Sequence, residues 1–149
     1  MRAAIVLAAL TGCLADLGPD VGAQQDNAAC VNADSDPATT ISFERDIHQG
    51  IMMDPAIHCV KCHTPGGATP IGLQIGGLDM SSYATFIKGG VHSATTIAIP
   101  GDPCDSIIVQ KIGAAPPFGA RMPKDGPPYL TAQQAQVIAD WIFEGAHDN

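Results

Sequence analysis

The sequence predicts a small all-α domain of four to five short helices joined by long loops, and three observations favour this fold class. Apolar residues recur at spacings of three and four, as on one face of a helix, whereas no convincing stretch alternates like a half-buried strand. Residues that can cap a helix precede several of these stretches. The 149 residues include 16 glycines and 12 prolines, which is typical of a chain with long loops.

The first predicted helix begins near Ser42, a favourable N-cap residue. Its apolar face has a spacing of four and consists of Phe43, Ile47 and Ile51. Pro55 interrupts this helix and is expected to start a short helical segment that ends with residues 59–63. Residues 64–80 contain five glycines and two prolines, so we expect an irregular loop there that could wrap closely around a flat cofactor.

Two further short helices are predicted in the middle of the chain. Ser81 or Ser82 caps the first, whose apolar residues are Tyr83, Phe86 and Ile87. Asp102 is expected to cap the second, with Pro103 in its first position, and Gly113 ends it. The apolar residues of that helix are Ile107, Ile108 and Ile112.

The last predicted helix has the clearest signals of the chain. Thr131 and Gln134 have the spacing of a capping box, and Gly145 is a suitable C-terminal stop. The apolar stripe between them consists of Ile138, Trp141 and Ile142. Residues 114–130, which precede this helix, contain five prolines and are expected to form a loop.

The most informative stretch of the chain is Cys59-Val60-Lys61-Cys62-His63. The pattern C-x-x-C-H is the attachment site of a c-type haem, because two thiols on one helical turn can bond to its two vinyl groups. The imidazole that follows can then bind the iron from the proximal side. The sequence therefore predicts one covalent haem c, held by Cys59, Cys62 and His63. A haem-free redox or zinc site is less well supported, since it would need a βαβ context or further ligands.

The N-terminal residues predict export from the cytoplasm. Residues 1–12 combine one arginine with an apolar stretch too short to span a bilayer, as in a secretory signal peptide. They lead into Leu10-Thr11-Gly12-Cys13, which resembles the bacterial lipobox, so Cys13 is expected to carry a lipid. An ordinary signal peptide with a chance cysteine is the alternative. The expected location is the bacterial periplasm or cell envelope, with a lipid anchor in the membrane.

Residues 13–40 are polar and show no apolar period, which predicts a flexible tether ahead of a domain at residues 41–149. Cys30 and Cys104 remain as a pair once the other cysteines are assigned. They are expected to form a disulfide in an oxidising compartment, although two free thiols are the alternative. The net charge of −8 argues against nucleic acid as a partner.

A haem with one histidine ligand has an open face, and the residue that fills it determines the function. The candidates for this position are Met52, Met53, Met80, Met122 and the histidines other than His63, of which His92 is the obvious distal one. The first two lie on the helix that leads into the haem motif and are expected on the proximal side. Met122 is favoured, because Pro123 restricts its backbone to extended conformations in a polar loop, between Arg121 and Lys124. These two basic residues and Lys61 either pair with haem propionates, form a positive docking rim or are solvated.

Taken together, these stretches resemble small class I cytochrome c domains, in particular the planctomycete-type and related bacterial monohaem cytochrome c lipoproteins. The resemblance covers residues 41–147 and includes C-x-x-C-H, Gly77-Leu78, Pro100-Gly101-Asp102-Pro103 with Ser106, Met122-Pro123, Leu130-Thr131, and Trp141-Ile142 with Gly145-Ala146. It implies His63 as the proximal and Met122 as the distal iron ligand. The stretch from Gly50 to Ala56 departs from this pattern like an insertion.

The function that these features imply is single-electron transfer between two redox proteins, a donor and an acceptor that the sequence does not identify. Such a domain is an electron carrier and not an enzyme. The alternative is a haem enzyme or sensor with an open distal site, such as a peroxidase, in which His92 would be the distal histidine.

Overall fold

The computed structural model describes residues 30–149. Regular structure in this range is helical and includes no β-strand, which confirms the all-α class. In chain order the helices are α1 (Phe43–Met52), α2 (Cys59–His63), α3 (Ile71–Gly76), α4 (Tyr83–Phe86), α5 (Ile107–Ile112) and α6 (Ala132–Phe143), with a 3₁₀ turn at Ala94–Thr96. None of these helices is both long enough and apolar enough to cross a membrane.

Helix α1 begins after Ser42, as predicted, but it is wound more widely than an α-helix. The amide of Ile47 donates to the Ser42 carbonyl at 3.3 Å, and the amide of Met53 donates to the His48 carbonyl at 2.9 Å. Both bonds span five residues. Turns of this kind contain more residues than α-helical turns. Met52 is therefore buried on the same face as the predicted Phe43, Ile47 and Ile51.

The core forms where α1 and α6 pack together and α4 adds its aromatic side chains. Phe43 lies 5.3 Å from Trp141 and 5.2 Å from Tyr83, measured between ring centroids. The polar groups of the Tyr83 and Trp141 rings donate to backbone carbonyls that follow α6. Tyr83 donates to the Ala146 carbonyl at 2.8 Å, and the Trp141 indole donates to the His147 carbonyl at 3.0 Å. The core can therefore include these rings without leaving a buried polar atom unpaired.

The start of α5 differs from the prediction. Asp102 does not cap the helix, which begins at Ile107 and ends before Gly113 as expected. The reason is the buried hydroxyl of Ser106, which donates to the Asp102 carbonyl at 2.8 Å and accepts from the Ile99 amide at 2.7 Å. These bonds hold residues 102–106 in a turn. Similarly, residues 55–57 form a turn and not a helix, and α2 starts only at Cys59.

The irregular loop expected over residues 64–80 contains α3, which raises the number of helices in the described range above four to five. Pro70 precedes this helix, and its carbonyl accepts from the Gln74 amide at 2.9 Å. Gly77, with a φ of +67°, ends it in the left-handed conformation. A glycine-rich stretch that suggested only a loop therefore contains a short helix, which one of its glycines ends.

Residues 30–40, expected as part of a flexible tether, contact the domain through Cys30, Asn32 and Ser35. Cys30 and Cys104, the pair expected to form a disulfide, are joined by one. Asn32 donates to the Asp102 carboxylate at 2.7 Å and accepts from the Cys104 amide at 2.9 Å. Ser35 donates to the buried carboxylate of Asp140 through its amide and its hydroxyl, at 3.0 and 2.6 Å. The folded unit thus includes Cys30, whereas the predicted signal peptide, Cys13 and residues 13–29 lie outside the described residues.

Candidate functional site

Helix α2 carries the haem motif and places its three functional side chains together. Cys59, Cys62 and His63 occupy positions i, i+3 and i+4, which lie on one face of a helix. Both thiols are free, and the side chains of this helix are all half-buried. Cys62 lies 3.7 Å from the Thr69 hydroxyl, measured from Sγ to Oγ1. The structure therefore presents two sulfurs and one imidazole within a single turn.

The two motif thiols differ in environment. Burial raises the pKa of the Cys59 thiol to about 11. At neutral pH this cysteine is therefore a protonated thiol, and its small thiolate fraction makes it a slow partner in disulfide exchange. Cys59 is thus in the less reactive thiol form at neutral pH.

His63 is held in the form that binds a metal through Nε2. Its Nδ1 lies 3.1 Å from the Leu78 carbonyl oxygen. Since a carbonyl only accepts, this bond assigns the ring proton to Nδ1 and leaves the lone pair on Nε2. Burial also lowers the pKa of the imidazole, which favours the neutral ring. A neutral histidine with its second nitrogen bonded to a carbonyl is a typical metal ligand.

Gly72 of α3 forms the support for this imidazole. A Cβ at this position would lie 2.6 Å from both Nε2 and Cε1 of His63. Contacts as short as these do not occur, so only glycine lets α3 approach the ring so closely. The packing of α3 on α2 therefore depends on Gly72.

The loop that contains Met122 lies against the haem motif. Asp125, three residues further on, receives a hydrogen bond from Lys61 at 3.2 Å and lies 3.8 Å from Nδ1 of His58. Met122 is half-buried, and its amide donates to the Lys111 carbonyl at 2.8 Å. The fold thus brings the predicted distal loop and the predicted proximal helix into contact.

The other candidate distal ligands have different surroundings. Met52 and Met80 belong to the buried core. Met53 is 46% exposed at the end of α1. His92 is exposed, and its ring lies tilted against that of Phe118 with 5.2 Å between the centroids. Of the candidates, Met122 is the one whose loop contacts α2 through an ion pair.

The basic residues around Met122 are partly engaged within the chain. Arg121 donates to the Ile112 carbonyl at 2.8 Å, and its guanidinium lies 4.1 Å from the centroid of the Tyr129 ring. Lys61 pairs with Asp125, while Lys124 is exposed. Sequence reasoning missed a fourth cation, Lys111, which is buried beneath the same loop. The sequence held one signal of its burial. Lys111 lies four residues after Ile107 and one before Ile112, in a mostly apolar helix.

These residues fit a covalent haem. The donor set has two unbridged thiols and a neutral imidazole. Gly72 lets α3 approach that imidazole more closely than a residue with a side chain could. In residues 30–149, His, Cys, Asp and Glu side chains do not gather in threes as ligands of a bare metal ion. Comparison of the chain with protein-family models, with curated proteins and with solved structures found no match. What this chain does is therefore inferred from its own residues.

Proposed function

We propose that this chain is an exported c-type cytochrome of the class I type, which carries single electrons on one covalent haem. The observation that supports this most strongly is the state of α2. Its two thiols are free although another pair of cysteines in the same chain is bridged. On the same turn, His63 keeps the Nε2 lone pair available.

Each residue of the site has a distinct role in this proposal. Cys59 and Cys62 would hold the haem as thioethers, and His63 would bind the iron through Nε2. The Leu78 carbonyl orients the imidazole and increases its basicity through the bond to Nδ1. Met122 would supply the second protein ligand of the iron. When bound, haem supplies an iron that gains and loses one electron.

Two protein ligands leave no coordination position for a substrate, so the proposed function is electron transfer and not catalysis. A methionine ligand also favours the reduced iron and raises the reduction potential. The donor and the acceptor are then redox proteins that approach the domain from solution or from a membrane complex.

The proposal includes export and a lipid on Cys13. The disulfide between Cys30 and Cys104 supports export, because such bonds persist in oxidising compartments and are rare in the cytoplasm. Labelling with a radioactive fatty acid tests the lipid, and we expect Cys13→Ser to abolish the label. Incorporation that persists in this variant would contradict the lipobox assignment.

Haem attachment is tested on the full chain, produced in a host that exports and matures c-type cytochromes. We expect the denatured protein to retain haem on a stained gel and to show the mass of the chain plus one haem. Replacing both Cys59 and Cys62 by serine should remove the haem. A wild-type chain that matures without haem would contradict the proposal and would favour a haem-free C-x-x-C site.

The distal ligand is tested by Met122→Ala in the haem-bound protein. We expect loss of the methionine–iron charge-transfer band of the oxidised protein and rapid binding of CO to the reduced protein, because one position on the iron opens. The exposed Met53→Ala is the matched control and should leave both measurements unchanged. If Met122→Ala keeps the wild-type spectrum, Met80 or His92 becomes the candidate. Rapid CO binding by the wild type would instead favour a haem enzyme or sensor.

A further inference from the structure

A buried cation lies beneath the loop that leads to Met122. Lys111, on α5, is only 9% exposed. Its ammonium donates to the carbonyl oxygens of Phe118 at 2.5 Å and Ala120 at 2.6 Å, and it lies 4.7 Å from the centroid of the Phe118 ring. A buried ammonium needs such acceptors, because removing it from water is otherwise costly. Two carbonyls of the segment 113–121 therefore converge on the Lys111 ammonium.

The backbone of the same lysine holds Met122 directly. The Met122 amide donates to the Lys111 carbonyl at 2.8 Å, so one residue contacts the loop through both its side chain and its main chain. Arg121 adds a bond from its guanidinium to the Ile112 carbonyl at 2.8 Å. Two carbonyls of the last turn of α5, those of Lys111 and Ile112, thus accept from the loop, which is fixed to α5 at Arg121 and Met122.

Much of this segment is exposed. Residues 114–121 form no helix, and Pro117, Gly119 and Ala120 are exposed. A loop with so little buried apolar surface depends on its polar contacts for a single conformation. Lys111 supplies two of these contacts from its side chain and a third from its carbonyl.

We propose that Lys111 is a positioning residue for Met122, and that its buried ammonium holds segment 113–121 so that the thioether is presented in one place. This inference rests on the proposed role of Met122 as the distal ligand. Lys111 itself does not contact the iron in this arrangement. It acts through the loop.

The test is Lys111→Met in the full-length, haem-bound protein, with hydrogen exchange of the Met122 amide as the first measurement. A hydrogen bond to a charged group contributes a factor of about ten to a hundred to a local equilibrium, so exchange should accelerate by that factor. The methionine–iron charge-transfer band should weaken, and CO should bind the reduced protein faster than it binds the wild type. Lys111→Arg, which keeps a positive donor, should restore most of the band.

The matched control is Lys88→Met, the same substitution at an exposed lysine after α4, and it should leave all three measurements unchanged. An unchanged Met122 amide and spectrum in a haem-bound Lys111→Met would overturn the inference while leaving the cytochrome assignment intact. A wild-type chain without haem would instead reject the proposed function itself. If Lys111→Met does not fold, Lys111→Gln replaces it. Failure of both to fold would show that Lys111 supports the whole domain and would also overturn the inference.

Discussion

The ring of His63 is oriented by two neighbours, a backbone carbonyl and a glycine. The Leu78 carbonyl fixes which nitrogen carries the proton, and Gly72 sets how closely the α3 backbone approaches the ring. Neither contributes a functional group of the kind that a search for ligands would notice. Together they determine where Nε2 points, and hence where an iron could be bound.

Replacing Gly72 by alanine should displace the imidazole, because the new Cβ would lie 2.6 Å from Nε2. Overpacking of this kind costs about 1–3 kcal/mol of unfolding free energy. Urea unfolding measures that loss, and electron paramagnetic resonance of the oxidised protein should report an altered proximal ligand. The control is Gly66→Ala, where an added Cβ would contact nothing within 4 Å. Equal stability and equal spectra for the two variants would argue against the support that we assign to α3.

The N-terminus of α1 is closed by residues from both ends of the domain. The side-chain oxygen of Asn149 accepts from the Phe43 amide at 2.8 Å, and its backbone oxygen accepts from the Glu44 amide at 3.2 Å. The Ser42 hydroxyl accepts from the Arg45 amide at 3.2 Å. The first turn therefore obtains acceptors for amides that have no partner within a helix.

Asp46 should make the stability of this element dependent on pH. Its pKa is lowered, first by the hydrogen bond from the Arg45 guanidinium and also by the Ser42 amide. Since the folded state binds the proton less readily than the unfolded state, ionised Asp46 stabilises the fold above the ordinary carboxyl pKa of about 4. That contribution is lost as the pH falls through the lowered pKa of the folded state.

We therefore expect Asp46→Asn to reduce the unfolding free energy at neutral pH by less than about 1 kcal/mol, because the pair with Arg45 is screened by solvent. The difference from the wild type should vanish in acid. Denaturant unfolding at several pH values measures this, with Asp105→Asn as the control at an exposed carboxylate. A constant difference at all pH values would mean that the charge of Asp46 is not what stabilises α1.

At the scale of the whole molecule, the disulfide closes a loop of chain that contains the haem motif. Cys30 and Cys104 are separated by 74 residues, and α1 to α4 lie between them. In the chain-entropy model, closing a loop of this length stabilises the fold by about 4 kcal/mol. Such a contribution is large for a small domain with few aromatic residues, whose core is limited.

The sequence predicted those elements whose signals are local. Helix α6 has the capping box of Thr131 and Gln134, and Ser82 caps α4, because each pair of partners lies within three residues. The placement of Cys59, Cys62 and His63 on one helical turn was equally predictable, since the three lie within five residues.

Features that depend on distant partners could not be predicted in this way. Ser35 binds a carboxylate 105 residues away, so the docking of residues 30–40 leaves no local pattern. Helix α3 contains two glycines, and one of them is explained only by the His63 ring against which it packs. The two carbonyls that accept from the Lys111 ammonium lie seven and nine residues further on, in a loop, and only the fold brings them to it.

The bridge between Cys30 and Cys104 also bears on the two cysteines that it leaves out, Cys59 and Cys62. Of the single bridges that the cysteines at 30, 59, 62 and 104 could form, this is the one that leaves both motif thiols reduced. Removing one of these two cysteines should lower haem attachment more than removing both, because the remaining free thiol can form a disulfide with Cys59 or Cys62 during export. We expect Cys104→Ser to mature with much less haem than Cys30→Ser combined with Cys104→Ser, measured as haem per chain in the exported protein. Equal haem content in the two variants would show that the bridge contributes stability and no protection.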